Sequence, residues 1–363
     1  MDLERKIDLI SQPPTEEIIT QSELRALLET KEHPVAYDGF EPSGLAHLGS
    51  GLLKAIKVKD FFDAGCRYIL WIADLHALIN NKLGGNLELI KKAGKYLEHT
   101  WYACGVPKGK IEIKWVSDAA REIDYWRRVI EISRATTLRR MMRCVTIMGR
   151  KESEIHQAAQ LLYPAMQAAD IFWLGVDICQ LGMDQRRANI LAREVGEKMK
   201  WWKPVCVHHH MLMGLHGPTK MGGFDENKVI DLQISSKMSK SIPKTAVFVH
   251  DTPEEIKEKV MSALCPERDV ESNPVLEICK HIVFRRSESL VIRRSKKYGG
   301  DVELQNYAEL EAAYREGKIH PLDLKEGVAS SLAEILEPAR EYFANNAEAR
   351  KLLEEIRAAE VTR

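Results

Sequence analysis

The stretch Tyr68-Ile69-Leu70-Trp71-Ile72-Ala73 constrains this chain more than any other. A strand with one wet face alternates apolar and polar residues; this one is apolar almost throughout, so both of its faces must be covered. Helices on either side of a parallel sheet give that cover, and the flanking pattern agrees. A short strand is expected at Val35-Ala36-Tyr37, then a turn-rich loop, then a helix from about Ala46 whose apolar stripe runs Leu48, Leu52, Ala55, Ile56 and Phe62. A helix over 86–103, a strand over 111–116 and a helix over 120–134 come next. A basic, Met-rich helical region is expected over 135–152, a helix from about 154, a strand around 175–181, a helix over 185–198 and a strand at Val205-Cys206-Val207. Strands alternating with helices make an α/β fold, a Rossmann-type doubly wound parallel sheet. Ligands bind beyond the carboxyl ends of such strands.

The two ends differ. Residues 1–34 read as a helical preamble, broken at Pro13-Pro14 and resumed through Thr15, Ile18 and Ile19. From about Thr252 the patterns are helical with almost no strand, and Thr252-Pro253-Glu254-Glu255 is a helix start. The length of 363 residues suits two domains. We place a Rossmann-type domain over 1–235, with a helical insertion at about 112–155, and a mostly α-helical domain over 236–363.

Lys plus Arg and Asp plus Glu are both 53, so net charge excludes no class of partner. A nucleic-acid surface must come from local clusters. Three exist: Arg139, Arg140, Arg143, Arg150 and Lys151; Arg186 and Arg187; and Arg285, Arg286, Arg293, Arg294, Lys296 and Lys297. The 7 cysteines are scattered without a CxxC pair, which reads as reduced thiols. The N-terminus lacks the apolar run of a signal peptide, and no stretch approaches the ~18 apolar residues of a membrane span. A cytoplasmic location is expected.

Two motifs point to phosphate chemistry. His47-Leu48-Gly49-Ser50 opens the helix after the first strand, where free amides and a positive dipole end attract anions. On its own this is equally a histidine capping a helix. Lys237-Met238-Ser239-Lys240-Ser241 places two ammonium groups and flanking hydroxyls in a loop, which by composition alone reads rather as a solvated charged loop. Tyr163, Gln167 and Asp170 fall at i, i+4 and i+7, one helix face, and Ile171-Phe172-Trp173-Leu174 beside them argues for burial. Buried polar groups need partners, and a polar ligand supplies them. Asp184, in Gly182-Met183-Asp184-Gln185, stands where a strand gives way to a helix, a place an aspartate takes as a cap.

The His-x-Gly motif after the first strand and Lys-Met-Ser-Lys-Ser after the last are together the mark of class I aminoacyl-tRNA synthetases, and this chain resembles that family. It departs at Ser50, where the family usually has a second histidine. Within the family it is similar to tyrosyl-tRNA synthetases of the archaeal and eukaryotic type, over nearly the whole chain. The resemblance is carried by Tyr37-Asp38-Gly39-Phe40-Glu41-Pro42-Ser43-Gly44, Ala73-Asp74-Leu75-His76-Ala77, Tyr163 to Asp170, Leu174-Gly175-Val176-Asp177, Gly182 to Arg186, and His320-Pro321-Leu322-Asp323-Leu324-Lys325.

The resemblance implies a tyrosine–tRNA ligase. It would join tyrosine and ATP as tyrosyl-adenylate, release pyrophosphate, and pass the tyrosyl group to the 3′-terminal adenosine of tRNA(Tyr). The phenol of tyrosine would donate to Asp170 and accept from Tyr37, and its ammonium would meet Tyr163, Gln167 and Gln185. Phenylalanine would leave polar atoms unpaired, a discrimination for which tyrosyl-tRNA synthetases are themselves the standard illustration. ATP would lie on Gly39, His47, Gly49, Ser50, Gly182, Asp184, Lys237, Met238, Ser239 and Lys240, with Mg²⁺. His47, Lys237 and Lys240 would carry the catalysis. Arg143, Arg186 and Arg187 would meet the tRNA acceptor end, and Tyr298, His320 and Asp323 the first anticodon base, on a C-terminal anticodon-binding domain. A homodimer through 112–155 is implied, where Val129, Ile130, Ile132, Leu138, Met141, Met142, Val145, Ile147 and Met148 are equally suited to a core. No structural metal is expected: Cys206-x-His208-x-His210 offers three ligands and no obvious fourth, and His210 falls on the adenine side. The rival readings are a tryptophanyl-tRNA synthetase, whose indole N–H Asp170 alone would accept, and a synthetase-like RNA-binding protein without catalysis.

Overall fold

The computed structural model describes residues 1–359, so residues 360–363 of the expected second domain lie outside the described residues. Six strands form the main sheet: β1 (Thr15–Ile19), β2 (Val35–Phe40), β3 (Arg67–Ile72), β4 (Glu112–Trp115), β5 (Ile178–Gly182) and β6 (Val205–His209). Their order is β1-β6-β5-β2-β3-β4, all neighbours parallel except β1 with β6. The chain winds outward from β2 through β3 to β4, then returns to lay β5 on the other side of β2. The reversal between β2 and β5 opens a crevice at their carboxyl ends.

Both faces of the sheet are buried, as the run at 68–73 requires. Ala36, Tyr68, Leu70, Ile72, Ile178 and Val207 point to one face, against Leu53 and Ile56 of the helix Leu52–Asp63 and Trp101 of the helix Leu87–Ala103. Tyr37, Ile69, Trp71, Cys179, Leu181 and Cys206 point to the other, against the helices Tyr163–Trp173, Arg186–Met199 and Ile123–Ala135. The first apolar core continues without a break into the C-terminal region, through Val275, Leu332 and Ile356. That region is helical except for a small antiparallel hairpin, β7 (Leu290–Ile292) with β8 (Val302–Leu304). The helix start at Thr252 is a full capping box with Glu255.

Four expectations are corrected. Residues 15–19 form strand β1 rather than a resumed helix. The β-branched Thr15, Ile18 and Ile19 pair with β6 along an edge the parallel sheet leaves open, and the next helix starts only at Thr20, another capping box. The helix after β2 begins at Leu52, not Ala46. The Leu48 amide donates to Val247 (2.9 Å) and the Ala46 carbonyl accepts from Val249 (3.1 Å), so both are withdrawn from helical pairing. The region 135–152 is not one long helix. It stops after Leu138–Cys144 in a tight turn, Val145–Met148, ended by Gly149 at φ +70°. The segment from 154 holds only short turns until the helix Tyr163–Trp173, which has Pro164 in its first turn.

Candidate active site

A cavity of about 700 Å³ occupies the crevice beyond β2 and β5. At its floor are Tyr37 on β2 and Tyr163, Gln167 and Asp170 on one face of their helix, all buried. Tyr37 is 1% exposed, and among the described residues its hydroxyl has no hydrogen-bond partner. Burial, with Cys179 and the Asp170 carboxylate near, pushes its pKa well up, so it stays a neutral phenol. Asp170 is 2% exposed and accepts from Tyr125 Oη at 2.8 Å, with His76 Nε2 3.5 Å from its other oxygen. Burial raises the Asp170 carboxyl to about 7, against the Tyr125 hydrogen bond. Burial alone lowers His76 to about 3, so that ring is neutral and lends Asp170 no countercharge. The floor therefore holds a carboxylate of raised pKa beside an unsatisfied hydroxyl, which matches a ligand that both donates and accepts at one point. Tyr163 packs edge-on to His76 with centroids 4.6 Å apart. Gln167 donates to Gln185 (3.1 Å), and Gln185 in turn donates to Ile147 O (3.0 Å), which orders the amides at the cavity wall.

The two phosphate motifs meet at the mouth. Residues 247–249 return from the second motif and pair with 46–48 of the first, with His47 opposite Phe248. His47 Nδ1 accepts from the Gly49 amide at 3.1 Å. A Cβ on Gly49 would lie 3.1 Å from the His47 ring, so glycine gives the imidazole its place. Burial, then the charges of Lys240 and Lys237, lower His47 to about 3, leaving a neutral ring. Ser50 lines the cavity too, but its hydroxyl serves the turn: it accepts from the His47 amide at 3.1 Å. Lys237 Nζ lies 2.6 Å from Asp184 Oδ2. Burial opposes ionisation of Asp184, yet Lys237 holds its carboxyl below the usual range. Asp184 caps no helix: Gln185 precedes Arg186–Met199 without a side-chain cap. At Gly182 any Cβ would fall 2.6 Å from Asp184 Oδ1 and 2.5 Å from Met211 Sδ. Lys240 reaches Ser43 Oγ, and burial, with Lys82 near, lowers its ammonium to about 7. Met238 is anchored by its amide to Leu212 O at 2.6 Å, while Ser239 bonds Ser241. Gly39 also lines the cavity. A neutral imidazole, two lysines and a carboxylate thus ring one space, above a floor with a donor and an acceptor for a phenol.

The model of the tRNA synthetases of class I for tryptophan and tyrosine matches residues 29–236 and 231–337. The tyrosine–tRNA ligase of Thermococcus sibiricus is 46% identical over 371 residues, 98% of this chain and 99% of its own. The chain belongs to the tyrosine–tRNA ligases of class I. The ligase of Pyrococcus abyssi is 44% identical over the full length of both. The crystal structure of the Pyrococcus horikoshii tyrosyl-tRNA synthetase complexed with L-tyrosine superposes with a TM-score of 0.90 at 42% identity, covering 98% of this chain and 100% of that one.

Three residues of the cavity, and Tyr125 behind it, escaped the reading of the sequence as site residues. Asp38 and Lys54 form an ion pair buried in the cavity wall. Burial raises Asp38 to about 6 and lowers Lys54, each against the pull of the other. Tyr125 and His76 frame Asp170. The only signal in the sequence was that Asp38 and His76 sit inside motifs already singled out.

The residues assigned to tRNA divide. Arg143 pairs with Glu226 (2.8 Å), and Arg187 with Asp225 (2.9 Å) while donating to Arg143 O (2.7 Å). These two share one rim near Lys151. Arg186 turns away to Glu17 on β1 (2.8 Å), where His208 and Arg186 hold the Glu17 carboxyl at about 2 despite its burial. In the C-terminal region, Arg294 donates to Gly300 O (3.0 Å) and Lys318 O (2.7 Å), tying the hairpin to the start of the helix Pro321–Ile335. Tyr298 lies in that hairpin, 63% exposed. His320 caps the helix, accepting from the Leu322 amide at 3.2 Å, and Asp323 sits in its first turn. His208 is held between Asn189 (2.9 Å) and Glu17 (2.7 Å), and His210 lines the cavity between Glu16 and Glu277. Among the described residues no three His, Cys, Asp or Glu side chains group as a metal site, and no helix is long and apolar enough to cross a membrane.

Proposed function

We propose that this chain activates L-tyrosine with ATP, releasing pyrophosphate, and transfers the tyrosyl group to the 3′-terminal adenosine of tRNA(Tyr). The observation that carries the reading is the cavity floor: a Tyr37 hydroxyl with no partner among the described residues, beside Asp170, under a mouth ringed by His47, Lys237 and Lys240. A phenol accepts from Tyr37 and donates to Asp170, and its binding restores a charge-assisted hydrogen bond to a carboxyl that burial otherwise weakens. An indole N–H has no acceptor to offer Tyr37. The ammonium of tyrosine meets Tyr163, Gln167 and Gln185.

The carboxylate of tyrosine is the nucleophile. It attacks the α-phosphorus of ATP in line, and pyrophosphate leaves. No side chain need form a covalent bond; the protein orients both substrates and neutralises developing charge. His47, neutral in the free protein, donates one N–H to a phosphate oxygen. Lys237 and Lys240 close on the leaving pyrophosphate, with the Met238 and Ser239 backbone beside it. Asp184 accepts from the ribose hydroxyls, and Gly39, Gly49, Ser50 and Gly182 let the nucleotide lie against the chain. Mg²⁺ accompanies ATP, held by phosphate oxygens and water. In the free protein Asp38 and Asp184 are already engaged by Lys54 and Lys237.

The catalytic unit extends over 1–235 and the anticodon-binding unit over 236–363, with 247–249 returning to the first. Arg143, Arg186 and Arg187 receive the acceptor end; Tyr298, His320 and Asp323 receive the first anticodon base. Two copies associate through 112–155, where Ile123, Ile130 and Leu138 stand exposed, in the cytoplasm. ATP–pyrophosphate exchange driven by tyrosine, tryptophan or phenylalanine tests the reading. Exchange with tyrosine alone is expected, and a comparable kcat/KM with tryptophan would overturn it.

A further inference from the structure

Between the cavity and the C-terminal helices lies a histidine held by two carboxylates. His210 follows β6. Its Nδ1 is 3.0 Å from Glu16 Oε2 on β1, and its Nε2 is 3.1 Å from Glu277 Oε2. Glu277 belongs to the buried helix Pro274–Ile278, which runs into a π-turn at Cys279–Val283. Such turns insert an extra residue and recur at functional positions. Here the turn carries His281, whose ring stacks on His210 with centroids 4.4 Å apart and planes 12° apart.

Both carboxylates reach further. Glu277 Oε2 accepts from the Met213 amide at 2.9 Å. Met213 is the antiparallel partner of Lys237; beside it Gly214 N donates to Ser236 O (2.9 Å) and Met238 N to Leu212 O (2.6 Å). Glu16 Oε1 accepts from Gln233 Nε2 (2.6 Å) on the helix Lys228–Ser236, which leads straight into Lys237. The segment 210–214 is therefore gripped on one side by the C-terminal helices and zipped on the other to the loop bearing Lys237 and Met238.

We propose that Glu277 is a positioning residue that holds the 237–241 loop in register over the nucleotide, acting through His210 and the Met213 amide. This rests on the tyrosine-activating reading above. The groups facing His210 are Glu16, Glu277 and His281, with His209 on its own strand. His281 and His209 are lowered well below the usual histidine range, by burial and then by neighbouring cations, and so are neutral. Against burial, Glu16 and Glu277 lift His210 to about 9 from its usual 6.5. The grip is thus fully present below pH 6.5 and is lost as pH rises through about 9.

The test compares the full-length protein with Glu277→Gln and Glu277→Asp. Glutamine keeps an acceptor for Met213 and removes the charge that serves His210. Tyrosine-dependent exchange by Glu277→Gln should show kcat lowered about tenfold, a KM for tyrosine within about twofold, and an alkaline limb moved to lower pH. Glu277→Asp should restore part of the rate. Any limb that Lys240 contributes is common to all three proteins. Hydrogen exchange at the Gly214 and Met238 amides should quicken in Glu277→Gln while Leu48 and Val249 keep wild-type protection. Wild-type kcat with wild-type protection at Met238 overturns the proposal, as does an even loss of protection that includes Leu48. If Glu277→Gln does not fold, Glu16→Gln makes the same comparison from the other carboxylate. No exchange by the wild type, with the amide differences present, would overturn tyrosine activation and support the positioning role.

Discussion

Tyr37 offers a hydroxyl that no described residue satisfies. An unmet buried donor is costly, and it is tolerated where a ligand completes it. Tyr37→Phe should fold, because only one unpartnered atom is lost. It should lower kcat/KM for tyrosine by about 1.5 kcal/mol, roughly tenfold, and leave phenylalanine almost unaffected. Exchange measured with each amino acid checks this, and an equal loss for both would remove Tyr37 from the recognition of the phenol. Tyr163, Gln167 and Asp170 were legible in advance because helical periodicity puts them on one face. Tyr125 was not: its bond to Asp170 joins residues 45 apart, and nothing local marks it. Asp38 and Lys54 were hidden for the same reason, since a charge in sequence looks solvated until its partner is known.

At the scale of elements, the 237–241 loop combines one anchored residue with a lightly held cation. It follows a helix, is fixed through Met238, and carries Lys240, whose contact is a serine hydroxyl rather than a carboxylate. On the proposed reading, replacing Lys240 removes a cation that matters only as charge builds on pyrophosphate. Lys240→Ala should slow adenylate formation by about 3 kcal/mol, a factor of roughly a hundred, with the Kd for tyrosine unchanged. Single-turnover adenylate formation and equilibrium binding of tyrosine measure the two quantities; weakened tyrosine binding of the same size would contradict the assignment. Two of the elements misread from sequence share a cause. Strand β1 and the late start of the helix at Leu52 both depend on pairing with distant chain, to β6 and to 247–249. Local propensity carries no record of such partners.

For the whole molecule, the run at 68–73 was enough to call for a sheet covered on both sides, and the alternation that follows it was enough for the class of fold. The order of strands was not, because it is set by which helices fill which face. The C-terminal helices share a core with the first layer, so a contact at the far hairpin is mechanically joined to the cavity. Even so, chemistry and tRNA selection should separate. Asp323→Ala should lower tRNA charging by about 1.5 kcal/mol, roughly tenfold, and leave ATP–pyrophosphate exchange intact. Aminoacylation and exchange on the same preparation decide it; parallel losses would make Asp323 a structural residue.

The pairing of Lys237 with Asp184 has a further consequence. On the proposed reading, each of these groups occupies in the resting protein the seat the other's guest will need, so the nucleotide site is bolted by its own furniture. A sugar that takes the carboxylate frees the ammonium at the moment a triphosphate arrives to receive it. Admission of the guest and arming of the departing group become one exchange of partners, and a nucleoside lacking phosphates would leave a stranded cation behind it.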